Sequence, residues 1–251
     1  MTAISVVMIV KNEEATIRNC LNSVSWADEV IVLDTGSTDR TIEICREHGA
    51  VVHTLDKWEG FGKARQQAVL HATNDWILTL DADEVLSPEL QRELIKLREK
   101  GWGNYAYRMK ARTFYLGRAI RFCGWGNESH LAIFNRQSGN FNAAEVHESI
   151  ITDQPVKMLK HYLLHYPYPD LDMILKKMRL YAKLSGDKKQ KLGKKTGLGN
   201  IVFRSFFKFF RMYFLKLGFL DGRIGFILCV NSAISTYFNH LSLWEKTRKN
   251  R

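Results

Sequence analysis

Carboxylate side chains follow three apolar runs in the first third of the chain, each close to the point where the run ends. Glu13 follows the first run, Asp34 the second, and Asp81 and Asp83 the fourth. Residues two apart can direct both carboxylates into one site when the chain turns, and such hard oxygen ligands select Mg²⁺ or Mn²⁺. We therefore predict that Asp81 and Asp83 bind a divalent cation, which would neutralise a departing diphosphate.

The elements that position these side chains alternate between strand-like and helix-like segments. The strand-like runs are 4–10, 30–33, 51–52 and 76–80, and the helix-like segments are 15–24, a segment capped by residues 37–39 that ends at 47, and 61–72. Such alternation predicts an α/β fold with a doubly wound, mostly parallel sheet. Ligands bind beyond the carboxyl ends of such strands, which is where the polar clusters lie.

Four further residues are candidates for binding a nucleotide sugar. Asn12 lies in the polar cluster after the first strand, and Asp34 can accept hydrogen bonds from a base or a sugar hydroxyl. Lys63 and Arg65 open the helix before the fourth strand and can offset phosphate charge, although Lys63 fits a solvated helix face equally well. The first strand is not followed by a G-x-G-x-x-G motif, which disfavours a dinucleotide site.

A displacement at a sugar carbon that inverts the centre needs one base to take the proton of the attacking hydroxyl. Glu148 follows a turn rich in Gly and Asn and precedes a β-like stretch, and we predict it to be this base, with Glu128 as the second candidate. His147 would be a further metal ligand or would orient Glu148, and a purely structural role for this histidine stays open.

Taken together, these motifs resemble the family 2 inverting glycosyltransferases with the GT-A fold. The resemblance rests on Val-Lys-Asn-Glu-Glu at 10–14, Asp-Thr-Gly-Ser-Thr-Asp at 34–39, Gly-Phe-Gly-Lys-Ala-Arg at 60–65 and Asp-Ala-Asp-Glu at 81–84. Later motifs are similar to one bacterial branch, the lipopolysaccharide inner-core β-1,4-glucosyltransferases that act on heptose I. They are Tyr-Leu-Gly-Arg at 115–118, Cys-Gly-Trp at 123–125, Val-His-Glu at 146–148 and Gly-Phe-Leu-Asp-Gly at 218–222.

The resemblance implies UDP-glucose as the donor and a lipopolysaccharide heptose as the acceptor. It also implies that Glu13 and Asp34 bind the nucleoside, that Asp81 binds the ribose or the metal, and that Asp83 binds the metal. The chain departs from the branch after Trp125, where Gly126-Asn127-Glu128 replaces Pro-Asp and a later Arg is missing.

The back of the chain differs sharply in charge from the front. The whole chain carries a formal net charge of +11, with −4 on residues 1–155 and +15 on residues 156–251. We predict a catalytic nucleotide-sugar domain over 1–165 and a helical, basic region over 166–251 that associates with membranes. The four cysteines form no C-x-x-C pair, and the apolar start lacks the basic flank of a signal peptide, which favours a cytoplasmic protein.

A segment over 201–217 predicts contact with a membrane surface. One stripe of this segment holds Phe203, Phe206, Phe207, Phe210, Phe214 and Leu217, and the other holds Arg204, Lys208 and Arg211. Basic helices with an apolar face lie at anionic lipid surfaces, so we expect a peripheral inner-membrane enzyme with a lipid-linked saccharide acceptor. Residues 224–244 lack charge but carry many polar groups, which favours a packed or interfacial helix over a membrane span.

Other classes of protein stay open at this stage. A nucleotidyltransferase shares the doubly wound sheet but prefers a Gly-rich basic loop after the first strand. A nucleic-acid-binding role suits the net charge, yet phenylalanines spaced along a helix face do not form a stacking platform for bases, so we expect no nucleic-acid partner. A protein or polyprenyl-lipid acceptor is the remaining alternative.

Overall fold

A computed structural model describes residues 2–126, 128–144 and 148–248. The strands are β1 (Ile4–Val10), β2 (Glu29–Asp34), β3 (Val51–Thr54), β4 (Trp76–Thr79), β5 (Glu84–Leu86), β6 (Ala106–Tyr115), β7 (Arg118–Ala119), β8 (Ser129–Asn135), β9 (Gly139–Phe141), β10 (Ile150–Thr152) and β11 (Val156–Tyr168). The helices are α1 (Ile17–Ser23), α2 (Thr41–Glu47), α3 (Phe61–His71), α4 (Pro88–Lys100), α5 (Leu171–Lys191), α6 (Leu198–Phe210) and α7 (Gly222–Arg248). A π-helical turn (Arg211–Leu215) and a 3₁₀ turn (Gly218–Asp221) separate α6 from α7.

One large sheet runs in the order β3-β2-β1-β4-β8-β6-β11-β5, with β7 paired to β6. The pairs β3·β2, β2·β1 and β1·β4 are parallel, while β8 joins β4 and β6 antiparallel. The predicted GT-A-type α/β fold is therefore confirmed. The first four strands form its parallel, doubly wound part, and antiparallel strands extend it.

The alternation of side chains along β1 divides the core of the sheet into two layers. Val6 and Met8 pack with the apolar faces of α1, α2 and α4, whereas Val7 packs with α3 and with Phe134 on the opposite face. Both faces of the strand are thus buried, which explains its continuous apolar sequence. Helices cover both faces of the parallel strands, as the alternation predicts.

The predicted helix caps at residues 37–39 are wrong in part. Helix α2 begins at Thr41, and the residue at its N-cap position, Arg40, makes no side-chain capping hydrogen bond. The Ser37 hydroxyl instead accepts a hydrogen bond from the Asn12 backbone N–H (3.0 Å), and Asp39 accepts one from the Thr41 N–H (3.0 Å). The serine fastens one strand-end loop to the other because both loops lie at the same sheet edge.

The chain forms two compact units. The first comprises 1–111 and 128–165, and the second comprises 112–127 and 166–251. Residues 112–127 thus belong with the helical unit, although the predicted catalytic range 1–165 includes them.

Helix α5 is longer than the sequence predicts. The Lys- and Gly-rich composition of residues 186–199 predicts an exposed loop or hinge, yet α5 continues through Gly186 to Lys191. Gly186 is buried, and a methyl group there would overlap the hydroxyl oxygen of Ser242 on α7. The glycine therefore allows close packing of two helices rather than breaking one.

Among the described residues, no single helix is both long enough and apolar enough to cross a bilayer. The segments Leu198–Leu215 and Gly218–Arg248 are long enough and apolar enough only when taken together, and the chain bends by 74° between them.

Candidate functional site

A cavity of about 410 Å³ opens beside the end of β4 in the first unit. Its polar lining consists of Arg65, Thr79, Asp81, Glu84, Arg108, Glu128, Ser129, His130, Glu148, Ser149 and His165. Strand β4 carries the chain to this edge, where the Leu80 N–H donates to the Val7 carbonyl (3.2 Å) and Asp81 follows at once. The cavity thus lies where the order of the parallel strands predicts a ligand site.

Arg65 is the central charged group of this cavity. Its guanidinium donates through Nη2 to Asp81 Oδ1 (2.6 Å) and through Nε to Glu148 Oε1 (2.8 Å). It also donates to Thr79 Oγ1 (3.1 Å), and its side chain is only 12% exposed. Burial alone would lower the pKa of Arg65, but the charges and hydrogen bonds of the two carboxylates raise it, so the cation is permanent.

Asp81 keeps an open side although protein surrounds it. Its side chain is 47% exposed because it faces the cavity. Desolvation raises the pKa of this carboxyl, but the charge and the hydrogen bond of Arg65 outweigh desolvation and lower it. Asp81 is therefore ionised and presents oxygen atoms to any ligand in the cavity.

Two histidines accompany the other acidic residues of the motif. His130 Nε2 lies 3.7 Å from Glu84 Oε1, and His165 Nε2 lies 3.6 Å from Asp83 Oδ1. Burial, together with the charge of Asp81, raises the pKa of Glu84 to about 8. Burial would lower the pKa of His165, but the adjacent Asp83 carboxylate raises it, whereas burial prevails at His130 and lowers its pKa.

Residues 141–144, which precede Glu148 in the chain, are held against α3 by hydrogen bonds. The Gly62 N–H donates to the Ala144 carbonyl (2.9 Å), and Gln66 Nε2 donates to the Phe141 carbonyl (2.6 Å). A side-chain carbon at Gly62 would lie 2.8 Å from the Ala144 nitrogen and would overlap the Asn142 carbonyl. Glu148, whose side chain is 15% exposed, lies beside Arg65.

The loops after β1 and β2 are tied together at the sheet edge. Asn12 has a left-handed backbone (φ 56°), and its side-chain oxygen accepts from the Thr38 N–H (2.7 Å). Asp34 is buried and accepts from the Ser37 N–H (3.0 Å). Both predicted nucleotide-binding residues therefore also hold the loops that would surround a nucleotide.

The remaining predicted residues occupy different places. Glu13 accepts from the Thr16 hydroxyl (2.9 Å), and Lys63 pairs with Glu59 (3.2 Å) in an exposed position and does not line the cavity. Glu128 lines the cavity. His147 lies outside the described residues, so its proposed metal-binding role stays a prediction.

The acid pair suits a cation that is bound partly by its substrate. Within 2–126, 128–144 and 148–248, no group of three or more His, Cys, Asp or Glu side chains is arranged to hold an ion. Mg²⁺ is usually bound through one or two carboxylates plus substrate phosphates. Asp81 opens to the cavity, whereas Asp83, two residues later, lies beside His165 and is not part of the cavity lining, so metal binding by both residues stays a prediction.

Sequence reasoning missed Arg108 and His130 as cavity residues. Arg108 lies in β6 and His130 in β8, two antiparallel strands in which Met109 lies opposite His130. The sequence shows polar residues in apolar strands but does not show which strands pair. Only the register of β6 and β8 brings both side chains to the cavity.

Residues 5–117 match glycosyl transferase family 2, and this range includes every strand-end carboxylate of the site. An uncharacterized glycosyltransferase of Rickettsia typhi is 30% identical over 100% of this chain and 90% of its own length. This chain belongs to glycosyl transferase family 2. The family assignment establishes a glycosyltransferase, and the predicted transferase class is confirmed.

A further relative of this family 2 chain carries a biosynthetic name. The lipopolysaccharide core biosynthesis glycosyltransferase LpsC of Rhizobium meliloti is 24% identical over 97% of this chain and 92% of its own length. The match extends well beyond the family 2 domain. Both units of this chain are therefore shared with that relative.

This family 2 chain is also similar to proteins of solved structure. Glucosyl-3-phosphoglycerate synthase of Mycobacterium tuberculosis, crystallised with Mn²⁺, UDP and phosphoglyceric acid, is 30% identical over 46% of this chain and 44% of that chain, with a TM-score of 0.37. S. aureus TarS 1–349 overlaps with 100% of this chain and 92% of its own, at 16% identity and a TM-score of 0.45.

Proposed function

We propose that this chain transfers glucose from UDP-glucose to a heptose of the lipopolysaccharide inner core, with inversion at the anomeric carbon. The observation that carries the proposal is the cavity at the end of β4, where Arg65 joins Asp81 to Glu148. The full-length similarity to LpsC supports a role in lipopolysaccharide core synthesis. UDP-glucose and the heptose follow from the resemblance of the motifs.

Glu148 is the proposed catalytic base. The acceptor oxygen forms a bond to the anomeric carbon of glucose while the bond from that carbon to the diphosphate oxygen breaks. The hydroxyl proton goes to the Glu148 carboxylate, and the bonding electrons leave with UDP. Glu128, which also lines the cavity, is the second candidate for this role.

Arg65 acts as a positioning residue in this proposal. It holds the Glu148 carboxylate at 2.8 Å and the Asp81 carboxylate at 2.6 Å through separate nitrogens. A guanidinium fork fixes both distance and orientation, which a single ammonium group does not. Arg65 thereby sets the base at a defined position relative to the acid motif, and Arg108 is the other cavity cation available to an anionic ligand.

Asp81 and Asp83 would hold a divalent cation, Mg²⁺ or Mn²⁺. Such a cation neutralises charge on a departing diphosphate. Asn12, Glu13 and Asp34 would then contact the nucleoside from the loops after β1 and β2. This arrangement requires Asp83 to exchange its contact with His165 for the cation or to keep both.

The second unit would bring the enzyme to its acceptor at the cytoplasmic face of the inner membrane. Helix α6 and the turns after it expose an apolar face. The most exposed large apolar side chains of this region are Leu198, Val202, Phe203, Phe206 and Leu215. Large exposed apolar patches mark interaction surfaces, and the +15 charge of residues 156–251 selects an anionic lipid surface as the partner.

Glucose transfer and nucleotidyl transfer release different products. With UDP-glucose, Mn²⁺ and heptose-terminated lipopolysaccharide, we expect release of UDP, and with UTP and glucose 1-phosphate we expect no release of pyrophosphate. An α-configured donor should give a β-linked product, which proton NMR detects. Release of pyrophosphate from UTP and glucose 1-phosphate, without transfer from UDP-glucose, would contradict the proposal, and transfer to polyprenyl phosphate alone would replace the acceptor.

The variant Glu148→Gln tests the base. It should keep UDP binding and lose transfer by a factor on the order of 10² to 10⁴. Glu89→Gln, an exposed glutamate on α4, is the matched control and should transfer normally. Equal transfer by Glu148→Gln and the wild type would remove Glu148 from the mechanism.

A further inference from the structure

A second cavity, of about 230 Å³, lies within the helical unit. Its lining comes from the aromatic residues near β6 and β11 and from α5, α6 and α7. The aromatic, basic and amide side chains of the lining include Trp125, Tyr168, Lys177, Lys208, Asn231 and Asn239. The proposed transfer chemistry uses none of them.

One wall of this cavity is aromatic. The rings of Trp125 and Tyr168 are stacked, with centroids 5.8 Å apart and an angle of 29° between their planes. Tyr115 packs against both rings at 6.0 and 5.5 Å. The electron-rich faces of such rings pack well against the polarised C–H groups of a pyranose. The wall therefore suits a sugar ring.

The opposite wall is a polar stripe on α7. Asn231, Ser235 and Asn239 follow one another at intervals of four residues, which places them on one face of the helix. Asn231 Nδ2 donates to the Tyr115 hydroxyl (2.7 Å). The side-chain oxygen of Asn239 is buried and has no hydrogen-bond partner among the residues that the structure describes. A buried acceptor without a partner is rare, and a ligand hydroxyl would satisfy it.

The cavity is also cationic. Lys177 Nζ lies 5.0 Å from the centroid of the Tyr168 ring, and Lys208 lines the cavity from α6. Burial lowers the pKa of Lys208, with a smaller contribution from the charge of Arg211. Among the described lining residues, none is Asp or Glu. The two ammonium groups of the lining are therefore a suitable pair of donors for an anionic ligand such as a phosphate.

We propose that this cavity binds a phosphorylated saccharide, with the sugar ring against Trp125 and Tyr168 and the phosphate between Lys177 and Lys208. The hydroxyls of the sugar would bond to Asn239 and its neighbours on α7. The volume is little more than half that of the first cavity, which favours a single sugar phosphate over a nucleotide sugar. If the proposed function holds, this ligand is part of the saccharide acceptor.

Binding is measured without any turnover, by isothermal titration calorimetry on the full chain with glucose 6-phosphate as the probe. Excess UDP and Mg²⁺ are present throughout to fill the donor site. Glucose and glycerol 1-phosphate separate the sugar from the phosphate and from a lipid headgroup. We expect glucose 6-phosphate to bind at least about tenfold more tightly than either, because each probe lacks one half of the recognition.

Lys177→Met and Lys208→Met should each weaken binding of glucose 6-phosphate by about tenfold or more. Lys176→Met, an exposed lysine on the same helix as Lys177, is the matched control and should bind normally. Ser235→Phe fills the cavity without removing a charge and should abolish binding, with an unchanged circular dichroism spectrum showing that the chain is folded.

Three results would overturn the proposal. They are equal binding of glycerol 1-phosphate and glucose 6-phosphate, normal binding by the folded Ser235→Phe variant, and no binding of glucose 6-phosphate while UDP and Mg²⁺ fill the donor site. The outcome is independent of the proposed reaction. A chain that binds glucose 6-phosphate but releases no UDP from UDP-glucose would refute the proposed function alone.

Discussion

The two units treat charge and apolar surface in opposite ways. The first unit encloses ionised groups, with Arg65 only 12% exposed between two carboxylates, and its apolar side chains are packed in two layers against the sheet. The second unit displays apolar side chains, with Phe203 65% and Phe206 66% exposed, and carries most of the positive charge. Enclosed charges suit chemistry on a small ligand, whereas exposed apolar and basic groups suit a large surface.

The largest effect that tests this contrast is expected at the acid motif. Asp83→Ala, or a chelator added to the wild type, should reduce release of UDP from UDP-glucose by about 10²-fold or more, because the departing diphosphate loses its neutralising charge. Added Mn²⁺ should restore the chelated wild type but not the variant.

Asp75→Asn is the control for this experiment. Asp75 is another strand-edge aspartate, which pairs with Arg136 away from the cavity. Undiminished UDP release by Asp83→Ala would show that the acid motif does not hold the cation.

The next effect concerns the enclosed cation. Arg65→Met should lower kcat for transfer by about 10²-fold while changing KM for UDP-glucose little, because Glu148 loses its orientation. It should also reduce the free energy of unfolding by about 3–5 kcal/mol, since both carboxylates lose their partner. Steady-state kinetics and thermal unfolding measure the two effects.

Arg65→Lys provides the comparison that separates charge from geometry. Lysine keeps the positive charge but lacks the guanidinium fork, so it should recover stability more than kcat. Full kcat in the lysine variant would show that charge alone positions Glu148.

Membrane binding should respond to the exposed face of α6. The double variant Phe203→Ser and Phe206→Ser should lower partitioning onto phosphatidylglycerol vesicles by about tenfold or more, given roughly 1.5–3 kcal/mol for each buried large apolar side chain. Sedimentation with vesicles measures the partitioning.

Leu70→Ser is the control because Leu70 is 74% exposed on the first unit. Wild-type binding should weaken with added salt and be poor on phosphatidylcholine, since basic residues contribute through charge. Undiminished binding of the double variant to phosphatidylglycerol vesicles would show that another part of the chain contacts the membrane.

The smallest effect is a change in stability with pH. The pKa of Glu84 in the folded, metal-free chain is about 8, above its ordinary value, so the folded state holds a proton that the unfolded state releases near pH 4.5. The free energy of unfolding therefore falls as pH rises from about 4.5 to about 8.

Glu84→Gln removes this dependence. With a chelator present, the free energy of unfolding of the variant minus that of the wild type should be larger at pH 8 than at pH 5, by at least about 1 kcal/mol. Urea unfolding at both pH values measures the difference, and a constant difference would contradict burial of a neutral carboxyl at this position.

The sequence predicts the acid motif well because it depends on local order along the chain. Strand β4 is a short apolar run, so Asp81 had to lie at a sheet edge beside the other strand ends. Lys63 and Arg65 are two residues apart, yet only Arg65 faces the cavity, because side chains two apart point in different directions on a helix.

The parts that the sequence did not predict depend on contacts between distant segments. Arg108 and His130 meet at the cavity only through the antiparallel register of β6 and β8. Gly186 belongs to a stretch whose composition predicts a loop, but it lies in α5 and packs against Ser242, which lies 56 positions later in the chain. Local residue preferences carry no information about such pairings.

The close approach at Gly62 has a consequence for how this enzyme can diverge. Since any side chain at position 62 would overlap the Asn142 carbonyl, main-chain atoms set the distance between α3 and residues 142–144. A larger residue at position 62 would have to push residues 142–144 away from α3. If Glu148 takes the hydroxyl proton as proposed, new acceptor preferences should therefore arise by reshaping the walls of the cavity while this main-chain contact is kept.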